Sequence, residues 1–89
     1  NEKQRVLLKV TAKNRDLVRT VALHRSQAEI ETNVEYSVFE YFLRPNFDFK
    51  QEIISYLDSA EVLEPLSLRK EIGRLVLNVY MKYRKDVKR

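Results

Sequence analysis

The chain has no cysteine and no tryptophan, and only one glycine, two prolines and one histidine among 89 residues. The missing cysteines exclude disulfides, thiolate metal ligands and cysteine nucleophiles together. With so little glycine and proline there is little linker, and neither an internal repeat nor a low-complexity tract is present. No apolar run approaches the roughly 20 residues needed to span a bilayer, and no secretory signal pattern is visible. Both absences fit a cytoplasmic protein without a membrane partner. The single His24 has no second histidine and no helix-spaced carboxylate beside it, so it is read as a structural loop residue rather than a metal ligand or general base. The chain begins at Asn1 rather than Met, as a piece excised from a longer protein would.

What remains is the material of one small folded domain. A hydrophobic content of 44% with 34% charged residues belongs to a globular chain, not a disordered one. At this length the core is small and the stability modest. The net charge of +4 is concentrated at one end. Residues 82–89 hold five cations and one acid, so the other residues sum to zero. A basic end of this kind attracts nucleic acid or, more simply, complements the dipole of a terminal helix.

The elements follow from spacing. Arg5–Val10 reads as a strand with Val6, Leu8 and Val10 on one face. Asn14 is a plausible N-cap for a helix from Arg15 to Leu23, with Leu17, Val18 and Val21 inward. Gln27–Thr32 alternates, placing Ala28, Ile30 and Thr32 on one side and Glu29 and Glu31 toward solvent. After a turn at Asn33, Tyr36–Leu43 is the strongest strand signal, and the two strands are expected to pair as a hairpin. Pro45 and Asn46 end it. Asp48 to Gln51 has capping-box spacing, opening a helix with Phe49, Ile53, Tyr56 and Leu57 on one face. Val62 and Leu63 form a last strand that Pro65 stops. Leu68, Ile72, Leu75, Val79 and Tyr83 then mark a helix from about Ser67 to about Lys85, packed on the sheet. The order βαββαβ predicts an α+β, ferredoxin-like, four-stranded antiparallel sheet with an additional C-terminal helix.

Read in that order, the chain resembles the C-terminal extension of WYL-domain bacterial transcriptional regulators. The residues that carry the likeness are Val6–Val10, then His24-Arg25-Ser26-Gln27 with Ile30, Tyr36–Leu43, and Ile53-Ile54-Ser55-Tyr56. The closest match is Ala60-Glu61-Val62-Leu63-Glu64-Pro65-Leu66-Ser67-Leu68-Arg69, closed by Ile72, Leu75, Val79 and Tyr83. The family often has Gly at the end of the second helix. Here Asp58-Ser59 stands, and Asp tolerates the left-handed conformation. The resemblance implies that residues 3–85 are one module, with 86–89 a frayed basic tail. It also implies a DNA-binding domain and a WYL sensing domain upstream. The module would pair protomers into a homodimer and pack against the WYL domain, and DNA would be met only through the N-terminal domain.

Candidate sites are surfaces. No catalytic constellation, cofactor motif or metal-ligand spacing occurs, so the chain is read as non-enzymatic. Arg15 and Arg19, four apart on one helical face, and Arg25 just beyond it are candidate contacts for an anionic ligand or nucleic acid; the plainer reading is a solvated face. The aromatic strand Tyr36–Leu43 invites comparison with RNA-recognition sheets, but it lacks their glycines and Glu40 interrupts it. In the last helix, Leu77 and Met81 lie beside Gly73, off the main apolar stripe. Gly73, Leu77 and Met81 are therefore the candidate oligomer or domain interface. Two rivals stand beside the regulator reading: a direct nucleic-acid binder using the arginines and the basic end, and a small-molecule regulatory domain of the same fold.

Overall fold

The computed structural model describes residues 2–85, so the tail 86–89 lies outside the described residues. The elements are β1 (Gln4–Thr11), α1 (Arg15–Thr20), β2 (Ala28–Thr32), β3 (Tyr36–Leu43), α2 (Phe47–Ser55), a 3-10 turn at Leu57–Ser59, β4 (Ala60–Glu64) and α3 (Leu66–Tyr83). The strands form one antiparallel sheet in the order β2-β3-β1-β4. This is the expected βαββαβ sheet with a C-terminal helix added.

The core follows from alternation in the two central strands. Val6, Leu8 and Val10 stand opposite Tyr41, Phe39 and Ser37, and all six are buried on the helix-facing side. Val18 of α1, Phe49 and Ile53 of α2, Val62 of β4 and Leu68 of α3 close over them. Phe49 meets the Tyr41 ring edge-on, with centroids 5.3 Å apart. The opposite face is laced by charge. Arg5 Nε donates to Glu40 Oε2 at 2.6 Å, and the Lys9 ammonium lies 4.4 Å from the Tyr36 ring centre.

Four local expectations are corrected. Helix α1 ends at Thr20, not Leu23; Val18 alone is buried, and Leu17 and Val21 are exposed. Its last turn is replaced by a side chain. Gln27 Nε2 donates to the Val18 carbonyl at 3.0 Å, taking the place of a further helical N–H. Asn14 sits at the N-cap but its amide donates to Ser59 Oγ at 2.9 Å instead of capping. The cap of α2 is Asn46, whose Oδ1 accepts from the Phe49 N–H at 2.9 Å, so Asp48 lies inside the first turn, where its charge suits the helix dipole.

The fourth correction concerns the turn after α2. The left-handed residue is Leu57, with φ of 57°, not Asp58. Its side chain is 77% exposed, so it leaves the apolar face assigned to it. A leucine in this conformation costs roughly 1–2 kcal/mol. Leu57→Gly therefore removes strain and almost no packing. It is expected to raise unfolding stability by about 1 kcal/mol in urea titration.

Candidate functional site

Helix α3 begins inside the fold and ends outside it. Leu68 is buried against the core and Ile72 packs at its edge. Beyond them the stripe is not covered by the sheet: Leu75 is 40%, Val79 52% and Tyr83 83% exposed. The expectation that the whole stripe packs within the chain is thus corrected. Lengths explain it. The five residues of β4 extend about 17 Å, whereas the 18 residues of α3 extend about 27 Å. The helix overshoots its strand by nearly two turns.

On the projecting part Val76, Leu77, Tyr80 and Met81 are exposed as well. At about 100° per residue, only Arg74, Asn78 and Lys82 interrupt the apolar circumference, as one narrow stripe. Gly73 sits where the helix leaves the body, and a Cβ there would meet nothing within 4 Å. Among the described residues nothing lies close enough to require the glycine. Leu77 and Met81 are presented together with Gly73, on a helix whose other projecting faces are equally unpartnered.

The arginines are distributed differently. Arg15 Nη1 reaches the hairpin turn, donating to the carbonyls of Asn33 and Tyr36. Arg19 forms a two-pronged pair with Glu29, at 2.9 Å through Nε and 2.7 Å through Nη2, and a third bond to Asp16 at 2.7 Å. Both guanidinium groups fasten α1 to the β2–β3 hairpin. Arg25 stands apart on the loop before β2, exposed. The structure does not bring the three together as one open cationic face. Arg25 instead joins Lys3, His24 and Arg44 along an open cleft of about 390 Å³, floored by Leu23, Leu43 and Phe49. Asp48 and Glu52 line the same cleft, so its walls carry both signs of charge.

The Glu29–Arg19 pair was not legible in the sequence. Clean alternation would put Glu29 in solvent. A bulge between Glu29 and Glu31 breaks the alternation and turns Glu29 to the helix side, where Ser37 Oγ also donates to it at 2.5 Å. These bonds, Arg19 first and Ser37 second, hold its carboxyl down to about 2. A carboxyl that is more acidic when folded stabilises the fold above its ordinary value and loses that contribution as pH falls. The window runs from about 4.5 down to about 2. Glu29→Gln is expected to flatten the acid limb of a urea-midpoint profile within that window. An unchanged acid limb would show that the pair contributes nothing there.

From the sequence, Gln27 opens the second strand and belongs to a motif; in the structure β2 starts at Ala28 and Gln27 lies in the loop before it. In the structure its amide joins three elements. Oε1 accepts from the Tyr41 hydroxyl at 2.5 Å and from the Leu23 N–H at 3.1 Å, while Nε2 serves Val18. Burial lifts the Tyr41 phenol well above the ordinary tyrosine range, so it stays a donor. A glutamine at the junction of a loop and a strand was the available signal.

Among the described residues no group of three or more His, Cys, Asp or Glu side chains could hold a metal ion, and no helix is long and apolar enough to cross a membrane. The fold and its exposed helix define a small α+β module of ferredoxin-like topology whose distinguishing feature is the uncovered apolar surface of α3. The family model of the WCX domain, the C-terminal extension of WYL-type regulators, matches residues 2–79, and the chain belongs to that family. As such it is an accessory domain of a regulator. No curated protein matches the chain.

Proposed function

We propose that this WCX domain is the non-enzymatic oligomerisation and effector-coupling module of a WYL-type transcriptional regulator, working in the cytoplasm as part of a homodimer. Residues 3–85 act as one unit, joined in the full protein to a WYL sensing domain and an N-terminal DNA-binding domain. The observation that carries the reading is the projecting half of α3, apolar around most of its circumference and uncovered. A helix of that kind is stable in water only when buried on more than one side. Effector binding at the sensing domain would favour one of two packings of the paired modules and so reset the spacing of the DNA-binding domains. Only differential affinity for the two packings does this.

Sedimentation velocity on the isolated chain tests the pairing. A dimer is expected, and a chain that stays monomeric at high concentration rejects it. A companion expectation concerns DNA. Among the described residues no helix is shaped to read a groove, and one face of the sheet is ion-paired, so binding to duplex DNA should be weak and without sequence preference. A sequence-specific, sub-micromolar complex would instead favour the nucleic-acid reading.

Gly73 gives a finer test. With no neighbour at its Cβ position, Gly73→Ala is expected to stabilise the monomer by about 1 kcal/mol. The same change is expected to weaken the dimer, because a second backbone approaching there needs the space. Thermal melts at low concentration and sedimentation at high concentration read the two effects separately.

A further inference from the structure

The cleft beside α2 carries charges of both signs that do not satisfy one another. Asp48 and Glu52 stand four apart in α2, so they share one helical face along the cleft. The cations come from other elements: Lys3 immediately before β1, Arg25 from the loop before β2 and Arg44 just after β3. Among the described residues Lys3, Arg25, Asp48 and Glu52 enter no ion pair, whereas Arg5, Arg19, Lys50 and Arg69 all do. The two signs therefore line one cleft without closing across it. Between them lies an apolar floor of Leu23 with the buried Leu43 and Phe49.

We propose that this cleft binds a free α-amino acid with an apolar side chain, as the zwitterion. Its carboxylate meets Lys3 and Arg25 in charge-assisted hydrogen bonds, its ammonium meets Asp48 and Glu52, and its side chain covers the apolar floor. A ligand of one sign fits less well. An anion alone faces the two carboxylates of α2, and a cation alone faces the lysine and the arginines. Size points the same way. The volume of about 390 Å³ lies at the lower end of the roughly 300–1,000 Å³ of small-molecule sites. The charged side chains are exposed, so each contributes little, and an affinity of about 1 mM is expected. A bound amino acid would tie the loop before β2 to α2. No residue of α3 lines the cleft, so the proposal does not depend on pairing through that helix.

NMR titration of the 89-residue chain with L-phenylalanine at neutral pH decides it, with two analogues that each lack one charge. 3-Phenylpropionate has no ammonium and phenethylamine has no carboxylate. L-Phenylalanine should shift the signals of Leu23, Arg25, Leu43, Asp48, Phe49 and Glu52 saturably, and leave Leu77 and Met81 unmoved. Both analogues should bind at least about fivefold more weakly, a loss of about 1 kcal/mol. The variants assign the charges. Asp48→Asn with Glu52→Gln should abolish the preference for L-phenylalanine over 3-phenylpropionate, and Arg25→Gln with Lys3→Gln should reduce the preference over phenethylamine. All four residues are exposed, so the variants should stay folded, as circular dichroism would show. No saturable shift at the cleft with L-phenylalanine overturns the proposal. So does 3-phenylpropionate binding as tightly as L-phenylalanine, which would mean a site for anions only, or an unchanged preference in both variants.

Discussion

Gln27→Ala is expected to destabilise the domain by about 3 kcal/mol, the largest effect of any single polar substitution considered. Truncation leaves three groups without partners: the Tyr41 hydroxyl, the Leu23 N–H and the Val18 carbonyl. The first belongs to a residue with no exposed surface. Each buried group left unsatisfied costs about 1–3 kcal/mol, and the loop-side pair can recover part of its loss from water. For a domain of this size the thermal midpoint should drop by roughly 10–20 °C. A double substitution separates the causes. Tyr41→Phe removes the most buried of the orphaned groups, so Gln27→Ala combined with Tyr41→Phe should lose less than the two single changes together. Additive losses would show that Gln27 acts through packing alone and that its bond to Tyr41 is idle.

Leu77→Asp with Met81→Asp is expected to dissociate the proposed dimer at least a hundredfold while leaving the monomer folded. Both residues are half-exposed in the chain, so the substitution removes little intramolecular packing, and changes at such positions rarely exceed about 0.5 kcal/mol. At an interface the same carboxylates would be buried without partners, at several kcal/mol, and every 1.4 kcal/mol is about tenfold in affinity. Sedimentation combined with circular dichroism decides between the outcomes. Folded monomers support the α3 interface. A variant that still pairs as wild type places the contact elsewhere on the molecule. Loss of helix signal would mean that the distal half of α3 belongs to the core, against its exposure here.

The sequence by itself determined the elements and their order, because that information is local. Alternation in Val6-Leu7-Leu8-Lys9-Val10 defines a strand face whatever lies above it, and that face is buried as read; the run of strand formers in Tyr36–Leu43 marks a strand without saying which row faces the core. Pro65 ends β4 and stands at the start of α3 because it lacks an N–H, a property of the residue alone. The family motif was likewise carried by neighbours in the chain, and the family match confirms it.

Only the tertiary structure decided where long-range polar groups go and how far the packing extends. Glu29 reaches Arg19 because one bulge residue shifts the register of β2, and a slip of one residue turns a side chain to the other face. Helix α1 is shortened by Gln27, nine residues beyond Val18 in the chain, whose amide reaches that carbonyl only once the loop has closed. Arg15 and Arg19 share a helical face, as spacing dictates, but the hairpin folded against that face takes up both guanidinium groups. The apolar period of α3 continues past Ile72 as the spacing requires. Whether those residues meet a sheet depends on the length of β4, and at five residues the strand stops short. Periodicity records which side of a helix avoids water, not what covers it, so the uncovered end of α3 became visible only when strand and helix were set side by side.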